Sequence, residues 1–353
     1  MNPIRKILRF TAARNALLIS AATAITAVAA SAQSVTPVTL DDFLRPTVGL
    51  GSSEMAQARS GKVAVKLLQT GMNRDVAVFG IVGIHTTRDA YMAHLRDMRA
   101  LISAHAERSG VMSDPPQPAD VAAFSFDESE WGDLRSCRVN DCDFKMSASL
   151  MQQFAQSVHW GNSDARYQVD SVMRTAMLDM VTAYTIHGNA AMPRYDDTHG
   201  VQAGDAFRAL LAQSSFLGNF APVFYNYLIN YPAGQLPGAL DVIYWSVEKI
   251  PHLRPTLMLS QLVEYTPASG TPLLVRKQIY ANHYFEASFE VLAVFDAPDL
   301  AGGPGIYVVA VRRYRFDSLP GGFLNIRGRA RSQLQKLLQS DLERERSTAE
   351  AKP

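Results

Sequence analysis

The spacing of apolar residues changes several times along the chain, and each change predicts a different element. Residues 62–68 and 75–84 are rich in Val, Leu, Ile and Phe and are separated by a polar turn, which predicts two strands. Thr86 or Thr87 is placed to cap a helix, because apolar residues from Tyr91 onward recur at three- and four-residue steps. We therefore expect two strands followed by a helix near the start of the domain.

Residues 151–231 have the spacing of helices. Between Val169 and Tyr184 the apolar side chains fall on one helix face, and His187-Gly188 is a typical helix end. Shorter helices follow before Pro232, which stops the last of them. We interpret this segment as a helical insertion within a larger domain.

After Pro237-Gly238 the period becomes that of strands. From Ile279 to Phe295 apolar residues occupy one parity and mostly polar residues the other, which predicts one buried face and one wet face. This run of about 17 residues exceeds the usual strand length, so we expect a bend or bulge that curls the sheet. Neighbouring antiparallel strands are predicted at 241–249, 256–265, 273–277 and 305–315, and an amphipathic C-terminal helix at 323–342.

The first 32 residues predict export. Four basic residues precede a largely apolar run at 16–29, and Ala30-Ser31-Ala32 provides a small-residue cleavage site after Ala32. The run is short for a membrane anchor and ends in small residues. We expect a signal peptide at 1–32 and a mature protein in the periplasm or outside the cell.

These elements together predict an α+β fold. Its expected form is a curved antiparallel sheet closed by a long C-terminal helix, with the central helical insertion. We expect residues 33–346 to form a single domain, because the mature chain is long enough for a large buried core. The polar tail at 347–353 is expected to be disordered.

Charge and motifs exclude several functions. The chain has a formal net charge of +1, and loss of the four cations in the first 32 residues leaves −3, so nucleic acid is not an expected partner. Gly-x-Ser-x-Gly, His-Glu-x-x-His and phosphate-loop motifs are absent, and the 8 histidines lack ligand spacing. We therefore expect neither a metal nor a cofactor, and the sequence names no catalytic set.

Cys137 and Cys142 are the 2 cysteines of the chain. In an oxidising compartment we expect them to form a disulfide. A loop this short contributes about 2 kcal/mol, so its predicted role is to fix a turn. A redox role is not favoured, because the Cys-x-x-Cys motif is missing.

The order of elements resembles the START-like, or helix-grip, superfamily, in which a curved sheet grips a long C-terminal helix. The resemblance covers 62–150 and 241–346, and the helical insertion has no counterpart in it. It implies an apolar cavity between sheet and helix for a lipid or another hydrophobic small molecule. Separately, the stretches 75–80, 244–249 and 277–285 are similar to those of exported bacterial proteins of unassigned function, a resemblance that carries no activity.

Strand parity selects candidate residues for the implied cavity. Ile243 and Trp245 share a parity on one predicted strand. His283, Phe285 and Phe289 share a parity on another, and His283 would be the polar group of the pocket. The alternative is that His283 is a core histidine bonded to a neighbour and that the aromatic residues fill a solid core.

Two other functions stay open. An envelope enzyme would act on a small apolar ester or polyketide-like substrate through His283, although strand alternation sends Tyr284 and Glu286 to the opposite face. A solid-core interaction protein would instead make peripheral contact with anionic lipid. The basic residues available for that contact are Arg312, Arg313, Arg315, Arg327, Arg329, Arg331 and Lys336.

Overall fold

The computed structural model describes residues 40, 41, 44, 51–97, 102, 106–249, 253–268, 270–317 and 326–351. The predicted signal peptide at 1–32 lies outside these residues. All described residues belong to one compact unit, and the α+β class predicted from the sequence is confirmed.

Antiparallel strands form the centre of the molecule. They are β1 (Ala64–Leu68), β2 (Asp75–Ile84), β3 (Ala106–Val111), β4 (Arg194–Tyr195), β5 (Val201–Gln202), β6 (Leu240–Glu248), β7 (Thr256–Tyr265), β8 (Leu273–Ala281), β9 (Phe285–Ala297) and β10 (Gly305–Phe316). Eight of them make one sheet in the order β1-β2-β10-β9-β8-β7-β6-β3, which is not closed into a barrel. The short strands β4 and β5 pair separately.

The α-helices precede, interrupt and follow the sheet. They are α1 (Ser52–Arg59), α2 (Arg88–Leu95), α3 (Glu128–Trp131), α4 (Ala148–Ser157), α5 (Ala165–His187), α6 (Ala203–Ala212), α7 (Ser215–Phe220), α8 (Pro222–Asn230) and α9 (Ile326–Ala351). Thr87 caps α2 as expected, since its Oγ1 accepts a hydrogen bond from Ala90 N at 3.2 Å. The predicted helical insertion is confirmed by α4 to α8.

Helices cover both faces of the sheet. Side chains such as Phe79 and Trp245 pack with the insertion helices on what we call the insertion face. Side chains such as Val78 and Leu274 pack with α2 and α9 on what we call the α9 face. β2 is buried at every position, which is the pattern of a strand covered on both sides.

The single long strand predicted from Ile279 to Phe295 is wrong. The chain reverses at residues 282–284, between β8 and β9, and Tyr284 adopts a φ of 60° there. The two strands then pair antiparallel, with Leu273 opposite Ala293. The turn contains neither Gly nor Pro, so the alternation of apolar residues continues through it without a visible break.

Two further differences concern the ends of the fold. α9 continues to Ala351 and Ala349 is buried, so the tail predicted to be disordered from residue 347 is helical that far. The edge strand β3 is additional, because its sequence Ala-Glu-Arg-Ser-Gly-Val has no apolar alternation that would predict a strand.

Candidate functional site

A cavity of about 70 Å³ lies between the α9 face of the sheet and the helices that cover it. We call it the sheet–helix cavity. Its apolar lining consists of Leu95, Ile102, Leu262, Leu274, Leu292, Ala310 and Leu342. Its polar lining consists of Tyr244, Glu248, Arg276, Glu290, Arg312, Asp341 and Glu345. The cavity lies between the sheet and the C-terminal helix, and half of its lining residues are polar.

Cross-strand register builds the polar wall. Glu290 on β9 lies directly opposite Arg276 on β8 and Arg312 on β10. Arg312 Nε donates to Glu290 Oε1 at 2.8 Å, and Arg276 Nη2 lies 3.6 Å from Glu290 Oε2. Opposite charges on directly facing positions stabilise a sheet, and here they also neutralise one another out of water.

The charged row extends beyond these three strands. Arg276 Nη1 donates to Glu248 Oε1 on β6 at 3.0 Å. Arg312 Nη1 donates to Asp341 Oδ2 on α9 at 2.5 Å, and Asp341 Oδ1 accepts from Arg344 at 2.6 Å. This row of alternating charges therefore links the sheet to the C-terminal helix.

Two carboxyls of the cavity wall are shifted in opposite directions. Burial acts to raise the pKa of Glu290, but the charges of Arg312 and Arg276 outweigh it and the net pKa is lowered. Burial raises the pKa of Glu345, and the nearby carboxylates Glu290 and Asp341 add to that rise. Glu345 is therefore easier to protonate than Glu290.

The surroundings of Glu345 explain this difference. Its Oε2 lies 3.5 Å from His94 Nε2, which is a cation only when protonated. The buried atoms Glu345 Oε2 and Tyr91 Oη make no hydrogen bond of normal geometry, but the two groups are close enough for the Glu345 carboxylate to add to the rise that burial causes in the pKa of Tyr91. Glu290 Oε1 accepts a hydrogen bond from Arg312, whereas Glu345 Oε2 accepts none from a guanidinium group.

The structure places three of the candidate pocket residues on the opposite side of the sheet. Ile243, Trp245 and Phe289 lie in the core of the insertion face, not against α9. Trp245 is fully buried and its Nε1 donates to Asp120 O at 2.8 Å. Strand parity identified a shared buried face correctly for these three, but it could not say which helices cover that face.

Phe285 lies on the α9 face instead, separated from Phe289. The register of β9 against β10 shifts near its start, where Arg315 pairs with Ala287 and Phe316 pairs with Phe285. The extra residue, Glu286, forms a bulge that reverses the parity of the strand. Phe285 packs against Phe316, with ring centroids 5.0 Å apart.

His283 lies in the turn between β8 and β9 and is almost completely buried. Its Nδ1 is 3.0 Å from Asp143 O, so this nitrogen donates, because a carbonyl oxygen only accepts. Its Nε2 is 3.0 Å from Glu130 Oε1. Both ring nitrogens are therefore engaged, which matches the core-histidine alternative.

The strand arginines considered for lipid contact are also internal. Arg312, Arg313 and Arg315 are each less than 8% exposed. Arg315 donates from Nε and Nη2 to the two oxygens of Asp75, at 2.8 and 2.9 Å. This part of the predicted lipid-contact surface is wrong, because the sheet is covered on both faces.

A second polar cluster is buried on the insertion face. Lys277 Nζ donates to Tyr184 Oη at 2.6 Å and also to Asn189 Oδ1. Tyr184 Oη donates in turn to Gln261 Oε1 at 2.5 Å, and Gln261 Nε2 donates to Asp241. The sequence pattern gave no sign that Lys277 is completely buried beneath the insertion.

The disulfide predicted between Cys137 and Cys142 is present. Within the described ranges, no helix is both long and apolar enough to cross a membrane. Over the same residues, His, Cys, Asp and Glu side chains nowhere form a group of three or more that could hold a metal ion.

In comparisons with known proteins, the chain matches no family model and no curated sequence. A function can therefore be inferred from the geometry of the sheet–helix cavity and not from a relative.

Proposed function

We propose that this chain is an exported protein that binds a small, partly apolar molecule in the sheet–helix cavity. The observation that carries the proposal is the cavity itself, which lies between the sheet and α9 and has one leucine-rich wall and one charged wall. Export is supported by the basic and apolar pattern of the first 32 residues and by the Cys137–Cys142 disulfide.

The size of the cavity limits the ligand. One water molecule needs a cavity volume of about 10–15 Å³, so a cavity of about 70 Å³ holds about five water-sized groups. Pockets for drug-sized molecules have about 300 Å³ or more. The proposal therefore narrows the expected lipid to a molecule of about five non-hydrogen atoms.

The charges of the wall favour a ligand that donates hydrogen bonds. Arg276 and Arg312 are each paired with two carboxylates, so neither is free to hold an anionic group. Glu345 Oε2 is a buried acceptor of the wall that makes no hydrogen bond of normal geometry, with His94 and Tyr91 beside it. We expect an amine to bind best, an alcohol less well and a carboxylate worst, because the wall has more carboxylates than guanidinium groups.

The test compares n-butylamine, 1-butanol and butyrate as probes. Thermal unfolding of the mature protein should shift upward with the amine most and with butyrate least, because a ligand that binds only the folded state stabilises it. A native mass spectrum of the protein exported from its own signal should also show a small retained molecule. A bare polypeptide mass together with no shift for any probe would overturn the proposal.

A matched pair of variants locates the binding. Ala310→Leu fills the sheet–helix cavity and should abolish the probe shift at little cost in stability. Ala293→Leu makes the same change on the insertion face and should preserve the shift while overpacking the core, at a cost of about 1–3 kcal/mol. Equal probe shifts in wild type and Ala310→Leu would place the binding elsewhere.

A further inference from the structure

Arg313 on β10 is a buried guanidinium with free donors. It is 5% exposed, and the buried atoms Nε and Nη1 have no hydrogen-bond partner. Its register partners are Ala77 on β2 and Phe289 on β9, and both belong to the insertion face. Arg313 therefore lies beneath the insertion and not beneath α9.

The carboxylate that acts electrostatically on Arg313 is already committed to other donors. Asp75 accepts two hydrogen bonds from Arg315, and its Oδ2 also accepts from Gln213 Nε2 at 2.7 Å. Two guanidinium groups on the same face of β10 thus share one carboxylate. Arg313 therefore shares the carboxylate that acts on it with Arg315, which already holds both oxygens of that carboxylate.

Neighbouring acids at this end of the sheet have cations of their own. Glu286 pairs with Arg74, and Lys145 pairs with both Asp197 and Asp317, at 3.3 and 3.6 Å. Of the described acids, only Asp75 contributes to the charge environment of Arg313. Burial lowers the pKa of Arg313 to about 10, which still leaves it positively charged at neutral pH.

A second donor without a partner is found where α6 ends. Ser214 is completely buried and its Oγ makes no hydrogen bond. It directly follows Gln213, whose amide donates to Asp75. α6 also carries Phe207, whose ring packs on Phe289 with the two ring centroids 6.1 Å apart. Phe289 is the residue opposite Arg313 in the sheet. The helix thus runs over the strand that holds Arg313.

We propose that Arg313 is the anchor of a binding site for a small monovalent anion, either a halide or a formate-sized carboxylate. A water molecule would satisfy the nitrogens but supply no countercharge, and a buried charge without a carboxylate in direct contact is strongly unfavourable. An anion supplies both acceptors and countercharge. The site is independent of the sheet–helix cavity, which lies on the other face of the sheet.

The test measures thermal unfolding of the mature protein in sodium chloride, sodium formate and sodium gluconate at one ionic strength. Gluconate is the bulky reference. Chloride or formate should increase the folding equilibrium constant by a factor of one plus the ratio of anion concentration to Kd. A gain with chloride alone identifies a halide site, and a gain with formate alone identifies a carboxylate site.

Variants assign the effect to Arg313. Arg313→Met should lose the anion-specific gain, and we expect it to fold because the substitution removes an unpaired charge. Arg88→Met is the control, since Arg88 is partly exposed and pairs with Asp296, and it should keep the gain. Crystals soaked in sodium bromide should show anomalous density beside Arg313.

Two results would overturn the proposal. One is an equal stability in chloride, formate and gluconate for the wild-type protein. The other is an anion-specific gain of the same size in Arg313→Met, which would show that the anion binds elsewhere. Bromide density confined to the surface would have the same meaning.

Discussion

Lys277 on β8 and Tyr184 on α5 join the sheet to the insertion through a hydrogen bond of 2.6 Å between Nζ and Oη. Both side chains are completely buried, and the two acceptors of the ammonium, Tyr184 and Asn189, are neutral. The ring of Phe207 also faces Nζ, 4.5 Å from its centroid. The insertion is thus held on the sheet by a buried amino group that has no carboxylate in direct contact.

This arrangement predicts a specific pH dependence. Burial lowers the pKa of Lys277 well below 10.5, and the charge of Asp241 opposes that only in part. Between the folded-state pKa and 10.5 the unfolded chain binds a proton that the folded chain lacks, so stability rises with pH in that window. The free energy of unfolding of wild type relative to Lys277→Met should rise by up to about 1.4 kcal/mol per pH unit.

Urea denaturation at several pH values between about 7 and about 9.5 measures this rise in the free energy of unfolding. The range stays below the pH at which tyrosines of the unfolded chain ionise. Lys249→Met is the matched control, because Lys249 is exposed and pairs with Glu107 at the surface. The difference between wild type and this control should be flat over the same range. A flat difference for Lys277→Met as well would contradict the prediction.

His283 and Glu130 should be coupled energetically. They are 3.0 Å apart and each is less than 5% exposed, so removal of either leaves a buried polar group without its partner. We expect His283→Ala and Glu130→Ala each to cost about 3–5 kcal/mol, and the double variant to cost less than their sum. Chemical denaturation of all four proteins gives the coupling energy.

The same variants separate the predicted site from the observed cavity. His283 is not part of the cavity lining, so any small-probe binding should persist in His283→Ala as long as the protein is folded. Loss of probe binding in a folded His283→Ala protein would return the site to the residues selected by strand parity.

The sequence predicted the order of the elements but not the reversal of the chain at His283. Caps and periodicity located α2, α5 and most strands to within a few residues, because those signals are local. The turn at 282–284 has no Gly or Pro, and the bulge at Glu286 leaves no visible break in the alternation of apolar residues. Tertiary pairing sets both features, so a single-chain pattern could not separate Phe285 from Phe289.

The wall of the cavity was missed for a related reason. Glu290 falls on the parity that predicts a wet face, yet it is covered by α9 and held between Arg276 and Arg312. A charged residue reads as exposed unless its partners are known, and these partners are on other strands. The available signal was the pattern of single charges at matching positions of adjacent strands, which only a known register turns into pairs.

Removal of the disulfide should have a limited effect. Cys137 and Cys142 are 5 positions apart, so the loop that the bond closes in the unfolded chain is small. We expect the double variant Cys137→Ser, Cys142→Ser to lose about 2 kcal/mol of stability and to keep any probe binding to the cavity. Wild type in a reducing agent is the control and should show the same loss.

Glu290→Gln should destabilise the protein strongly. It removes the negative charge shared by Arg276 and Arg312 and leaves two buried guanidinium groups with fewer partners, at a cost of about 3–5 kcal/mol. Because the pKa of Glu290 is lowered in the folded state, its contribution is complete above pH 4.5 and is lost as pH falls through the folded-state pKa. A loss within about 0.5 kcal/mol, as for a surface site, would contradict this prediction.

Glu345→Gln should stabilise the protein at neutral pH, whereas Glu290→Gln should destabilise it, although both residues line the same cavity. The pKa of Glu345 is raised by burial, so between pH 4.5 and the folded-state pKa the folded chain binds a proton that the unfolded chain lacks. Ionisation of this carboxyl therefore costs stability as pH rises, and a neutral amide avoids that cost. We expect Glu345→Gln to be more stable than wild type at neutral pH and to lose this advantage near pH 4.5.

The control for both substitutions is Glu343→Gln. Glu343 is exposed and lies on α9, the helix that carries Glu345. Its effect should stay within about 0.5 kcal/mol at every pH. If Glu345→Gln destabilises at neutral pH, then its charge is matched by His94, and the acceptor offered to an amine ligand is already occupied. A gain in stability combined with a weaker n-butylamine shift would instead identify the Glu345 carboxylate as the group that meets the ligand.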